Sequence, residues 1–167
     1  MKKINSTIYF AVMAVTAIGL LIWIASPDNV SDDAGNVVSA SNLILDETFF
    51  DFGNISMAAG IVSHEFKVKN EGDNEVVINQ IYTSCMCTSA IFFNGETKFG
   101  PFGMAGHGLI PKFNGKIGVG EEAIIKVDFD PAAHGPAGVG PIERAVYLIQ
   151  KNNDQPLEIR FRAVVTP

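Results

Sequence analysis

The chain has 167 residues, 47% of them hydrophobic and only 18% charged, with a formal net charge of −6. An acidic chain of this kind does not bind nucleic acid through counter-ion release, and its two cysteines exclude a disulfide-rich scaffold. The length suits one domain plus a tether.

Lys2 and Lys3 precede an uncharged apolar run from Ile8 to Ala25. At about 1.5 Å per residue it reaches roughly 27 Å, close to the thickness of bilayer hydrocarbon. The run exceeds the roughly 7–15 apolar residues of a signal h-region, which favours an uncleaved single-pass anchor in the cell membrane over residues 1–26. The alternative is a secretory signal cleaved near Val38-Ser39-Ala40. Lys2 and Lys3, set against Asp28, Asp32 and Asp33 beyond the run, put the amino terminus in the cytoplasm and the rest outside. Trp23 near the outer end suits an interfacial aromatic. Residues 27–42 are polar, small and rich in turn formers, and read as a flexible linker.

Helical periodicity is absent after residue 42. Leu43-Ile44-Leu45 leads to Phe49-Phe50-Asp51-Phe52-Gly53. Ile61 to Asn70 alternates apolar and polar residues, and Asn70-Glu71-Gly72-Asp73-Asn74 is a turn. Further strands are expected at Val76–Tyr82, Ala90–Phe93, Ala123–Phe129, Glu143–Gln150 and Leu157–Val165, the last two joined by a hairpin loop over Lys151–Pro156. Short strands with turn signals between them predict an all-β fold over residues 43–167, a two-sheet sandwich of immunoglobulin type. Residues 94–120 break this rhythm. Their glycines suit a long loop, with Phe99, Phe102, Leu109, Ile110 and Phe113 as apolar content. A second glycine-rich turn follows Asp130-Pro131 and carries His134.

Cys85 and Cys87 flank Met86 directly after the Val76–Tyr82 strand. In an extended segment, residues i and i+2 share one side, so the two sulfurs would be presented together. Three outcomes suit that pair: thiolate ligation of Cu(I) or Zn, a local disulfide with redox character, or burial as small hydrophobes. Cys85 and Cys87 lead the candidate metal ligands, followed by Met104 and His107 in the first glycine-rich loop and His134 in the second. Loops of a sandwich cluster at its two ends, so these three segments can share a pole. His64 reads as a half-exposed strand residue.

Phe50-Asp51-Phe52-Gly53-Asn54-Ile55, His64-Glu65-Phe66-Lys67-Val68-Lys69-Asn70-Glu71-Gly72, Ser84-Cys85-Met86-Cys87-Thr88 and Val127-Asp128-Phe129-Asp130-Pro131, in that order, resemble the bacterial family called Domain of Unknown Function 1573. The resemblance runs over most of residues 43–166. It implies an exported, immunoglobulin-like domain related in fold to sperm-protein and cilia-associated domains, with Cys85 and Cys87 as marked positions and no agreed activity. Two departures stand out. Met86 replaces the family's usual glycine between the cysteines, and the connection over residues 94–120 is longer.

The expected function is a membrane-tethered extracytoplasmic module with a structural or protein-interaction role, Phe99 and Phe102 supplying loop contacts to a protein partner. Soft-metal binding and a thiol redox role are the alternatives. No catalytic signature surrounds Cys85, Cys87 or His107, so enzymatic activity is not expected. Nothing in the sequence marks an oligomeric state.

Overall fold

The computed structural model describes residues 43–95, 97–108 and 111–167. The anchor expected over residues 1–26 and the linker over 27–42 lie outside the described residues, as do Leu109 and Ile110. Among the described residues no helix is long and apolar enough to cross a membrane.

Among the described residues ten strands run in chain order: β1 Leu43–Leu45, β2 Phe49–Ser56, β3 Val62–Asn70, β4 Val76–Thr83, β5 Thr88–Asn94, β6 Thr97–Phe102, β7 Gly115–Ile117, β8 Glu122–Phe129, β9 Gly140–Gln150 and β10 Asn153–Thr166. They form two five-stranded sheets, ordered β1-β3-β8-β5-β6 and β2-β10-β9-β4-β7. Strand pairs are antiparallel except for β2 against β10, which is parallel. The all-β, two-sheet architecture expected from the alternation is what the chain forms.

Alternation explains which face each strand buries. In β8, Ala123, Ile125, Val127 and Phe129 are buried while the residues between them are not. In β3, Phe66, Val68 and Asn70 are buried in the same rhythm. Phe66, Phe92, Phe102 and Phe161 are the bulkiest fully buried side chains of the resulting core. Each stabilises the fold by about 1.5–3 kcal/mol relative to exposure.

Two expectations are corrected. Residues 94–120 are not one long loop, because Thr97–Phe102 pairs with β5 and Gly115–Ile117 pairs with β4. Phe102 is 1% exposed, and Phe99 packs against the core beside Phe92 and Phe113. Phe102 fills the interior and Phe99 is half-buried against it, both on a paired strand and not in an exposed loop. The tight spot is Gly100, whose backbone is left-handed (φ +112) and where a Cβ would come 2.9 Å from Ala90 O. The glycine is there to let β6 close on β5. The second correction is the final hairpin. β10 begins at Asn153, with a register shift between Asn153 and Leu157, so the connection is shorter than the six residues expected.

Several motif residues serve this architecture. Phe50 stacks on His64 with ring centroids 3.5 Å apart, and His64 pairs with Glu47. Phe52 meets Phe161 edge to face at 5.4 Å. Buried Asn70 donates from Nδ2 to Asn74 O at 2.8 Å and Ile117 O at 2.9 Å, and its Oδ1 accepts from Gly72 N–H at 3.0 Å. A buried amide satisfied in this way costs little, whereas an unsatisfied one would cost about 1–3 kcal/mol.

Candidate functional site

β4 ends at Thr83 in one sheet and β5 begins at Thr88 in the other, so Ser84-Cys85-Met86-Cys87 carries the chain across the sandwich. The cysteines therefore sit in a tight turn and not in the extended segment expected. The crossing is short, and the turn closes when Thr88 N–H donates to Cys85 O at 3.1 Å, an i to i+3 bond. The buried Thr83 hydroxyl lies 2.9 Å from Cys85 O and 3.1 Å from Thr88 O, bracing the turn from inside. Ser84 ties it to β9: its N–H donates to Ala145 O, and its Oγ accepts from Ala145 N–H, both at 2.9 Å. Ser84 of the motif and Thr83 just before it are thus the fasteners of the Cys-x-Cys turn.

The turn brings the sulfurs together even without an extended backbone. Cys85 and Cys87 form a disulfide, their Cα atoms 5.3 Å apart. Both sulfurs are largely shielded, Cys85 being 9% exposed and Cys87 3%. Met86 at the tip of the turn is 57% exposed and faces solvent.

The glycine-rich segment after β8 completes the site. Asp130 N–H donates to Cys87 O at 2.9 Å, pinning the start of that segment to the turn. Asp130 Oδ1 accepts from Ala132 N–H at 2.9 Å, an Asx turn that reverses the chain around buried Pro131. Gly135, with φ +56, then turns the chain immediately after His134. As a result His134 Nε2 lies 3.1 Å from Cys85 Sγ. The ligand atoms of Cys85, Cys87 and His134 all lie within 4.8 Å of one another, a grouping that could hold a metal ion.

A fourth residue was missed by sequence reasoning. Arg144 on β9 donates from Nε to Cys87 Sγ at 3.4 Å. The expected β9 included Arg144, and its inward direction depends on how β9 registers with β4, with Tyr147 opposite Tyr82 and Val146 opposite Thr83. Only knowledge of strand order could have revealed it. Beside the turn, His134, Val139, Pro141, Ile142 and Arg144 line an open cavity of about 410 Å³.

The other expected ligands fall as follows. Met104 forms a backbone bridge with Thr83, and Gly103 O accepts from Thr83 N–H at 3.1 Å, so that loop does reach the strand end bearing the cysteines. Met104 itself is half-buried. His107 is exposed and is not part of the Cys85, Cys87 and His134 group.

The motifs Ser84-Cys85-Met86-Cys87-Thr88 and Asp128-Phe129-Asp130-Pro131 thus meet through the bond from Asp130 to Cys87. Residues 43–100 match the family described as Protein of unknown function (DUF1573). The resemblance drawn from the motifs is borne out over that stretch, which contains the Cys-x-Cys turn. His134 and Arg144 lie beyond it. No curated protein matches the sequence. In fold, the chain is similar to a crystal structure of a protein of unknown function from Porphyromonas gingivalis W83, with a TM-score of 0.53 and 15% identity, over 80% of this chain and 51% of that one. More remote likenesses include the VesB protease of Vibrio cholerae (TM-score 0.46, 13% identity, 74% of this chain and 32% of that). Another is the CooA pilin subunit of enterotoxigenic Escherichia coli (TM-score 0.41, 10% identity, 76% of this chain and 100% of that). The chain spans about half the length of the Porphyromonas protein, and the likeness concerns fold alone.

Proposed function

We propose that this chain is a membrane-tethered, extracytoplasmic domain of immunoglobulin-like type that acts without catalysis and holds Cu(I) through Cys85, Cys87 and His134. The tether rests on the apolar run Ile8–Ala25 and the lysines before it. The observation that carries the metal reading is the convergence of two sulfurs and one imidazole nitrogen within 4.8 Å.

Three arguments favour Cu(I) over Zn. Thiolates select soft Cu(I), and imidazole accommodates it. Structural Zn takes four ligands in a tetrahedron, and the His, Cys, Asp and Glu residues described here offer three in reach. Two thiolates around a monovalent ion leave one net negative charge. Arg144, whose guanidinium is always charged, stands at Cys87 Sγ to offset it. The shielding of both sulfurs suits an ion that is to be held and kept from water. Loading requires the pair in its reduced form, since the thiolate is the ligand.

The test is an anaerobic Cu(I) titration of the reduced full chain in detergent, read against a chromogenic chelator. One tight equivalent is expected, lost in Cys85→Ser/Cys87→Ser and weakened in His134→Ala. The absence of a tight equivalent in the reduced wild-type chain would contradict the reading.

A further inference from the structure

The two sulfurs of the disulfide do not have the same surroundings. Cys85 Sγ belongs to the more exposed residue, 9% against 3% for Cys87. It also faces His134, which lines the open cavity beside the turn. Cys87 Sγ lies deeper and has a permanently charged donor beside it, whereas Cys85 Sγ accepts from the neutral Cys87 N–H at 3.4 Å. Arg144 Nε–H points at it from 3.4 Å, and Thr88 Oγ1 lies 3.7 Å away. In thiol–disulfide exchange, the attacked sulfur must be reachable, and the leaving sulfur must accept a negative charge.

We infer that Cys85–Cys87 undergoes directional thiol–disulfide exchange, in which an external low-molecular-weight thiol attacks Cys85 and releases Cys87. In the first step the thiolate RS⁻ forms a bond to Cys85 Sγ. The Cys85–Cys87 bond breaks, and its electron pair goes to Cys87 Sγ, where the Arg144 guanidinium lies. In the second step another RS⁻ attacks the thiol-derived sulfur of the Cys85–S–SR adduct. RSSR departs, and the electron pair passes to Cys85 Sγ. Two protons, carried in as the S–H protons of the two RSH molecules, balance the sum: two thiols are oxidised to one disulfide, and the protein disulfide is reduced to a dithiol. The cavity of about 410 Å³ is lined by His134 beside Cys85 and by Arg144 beside Cys87, so the direction rests on the greater exposure of Cys85 and on the charge at Cys87. Arg144 touches the reacting sulfur and is the residue that sets the direction.

This exchange uses the same cysteines as the metal reading but does not depend on it, because it is measured on metal-free protein. The experiment treats the oxidised full chain in detergent, with a metal chelator present, with excess reduced glutathione. Free thiols are alkylated at intervals, and tandem mass spectrometry separates Cys85 from Cys87 across Met86. The expected early product carries glutathione on Cys85 and the alkyl group on Cys87, in excess over the reverse adduct by about tenfold. Arg144→Gln is expected to slow opening by about tenfold, as loss of a charge-assisted hydrogen bond to the leaving sulfur would. Arg144→Lys should recover part of the rate. Circular dichroism confirms that both variants remain folded. Adducts on Cys87, adducts shared equally between the two, or a disulfide that excess glutathione leaves intact would each overturn the inference.

Discussion

Two glycine-rich stretches look alike in the sequence and do opposite work. Within residues 97–118, Gly100 and Gly115 make room. At Gly115 a Cβ would come within 3.0 Å of the Phe92 ring, and at Gly100 within 2.9 Å of Ala90 O. The space admits Phe102 and Phe113, whose ring centroids lie 4.7 Å apart, and Phe99 beside them. Residues 130–140 use glycine to steer. Gly135 and Gly140 have positive φ and nothing within 4 Å of a would-be Cβ. Their freedom turns the backbone, so that exposed His134 is delivered to Cys85. The difference lies in the apolar content: the first stretch carries large rings, and the second carries nothing bulkier than Val139. A glycine-rich stretch with aromatics is core in waiting, whereas one without them can be shaped around a site.

Substitutions in the two stretches should therefore separate stability from binding. The largest effect is expected for Phe102→Ala, which should cost about 3–5 kcal/mol in chemical denaturation. A small loss would mean that Phe102 is not the interior residue described. Gly115→Ala adds one methyl against Phe113 and Phe92 and should cost about 1–3 kcal/mol by overpacking. His134→Ala should do the converse. Stability should change by no more than about 0.5 kcal/mol, because the residue is exposed, while Cu(I) affinity falls by at least about tenfold. Equal losses of stability and affinity would erase the distinction between the stretches. His107→Ala should leave both quantities unchanged, since His107 lies outside the ligand group.

A small pH dependence is expected remote from both stretches. The Arg162 guanidinium, followed by Gly53 N–H, holds the exposed Asp51 carboxyl below its usual value of 3.8. The pairing therefore helps the folded state fully above that value and is lost as pH falls through the lowered one. In Arg162→Gln, an NMR titration should show Asp51 moving up toward 3.8. An unmoved titration would remove Arg162 as the cause.

Much of this fold was legible because alternation is a local signal. Val62–Asn70 and Glu122–Phe129 bury the residues that their period-two patterns mark. The strand at Thr97–Phe102 was not legible, since Gly100 and Pro101 are poor strand formers and pairing with β5 overrides their propensity. At the site, Cys85, Cys87 and His134 could be named from residue chemistry alone. Arg144 could not, because its meeting with Cys87 across 57 residues depends on the register of β9. His107 shared the residue type and glycine-rich setting of His134, but its loop is fastened at Thr83, whereas that of His134 is fastened at Cys87 itself. The fastener Ser84 was visible as a motif residue, yet its role and that of the preceding Thr83 appear only once the turn is seen to cross between sheets.

In the proposed function Cys85, Cys87 and His134 act together as the ligands of one soft ion. X-ray absorption at the copper edge, on the reduced full chain loaded anaerobically with Cu(I), tests it most directly. A shell of two sulfurs with one imidazole nitrogen is expected, the nitrogen contribution vanishing in His134→Ala and persisting in His107→Ala. A sulfur-only shell indifferent to His134, or a nitrogen signal lost with His107 instead, would contradict it.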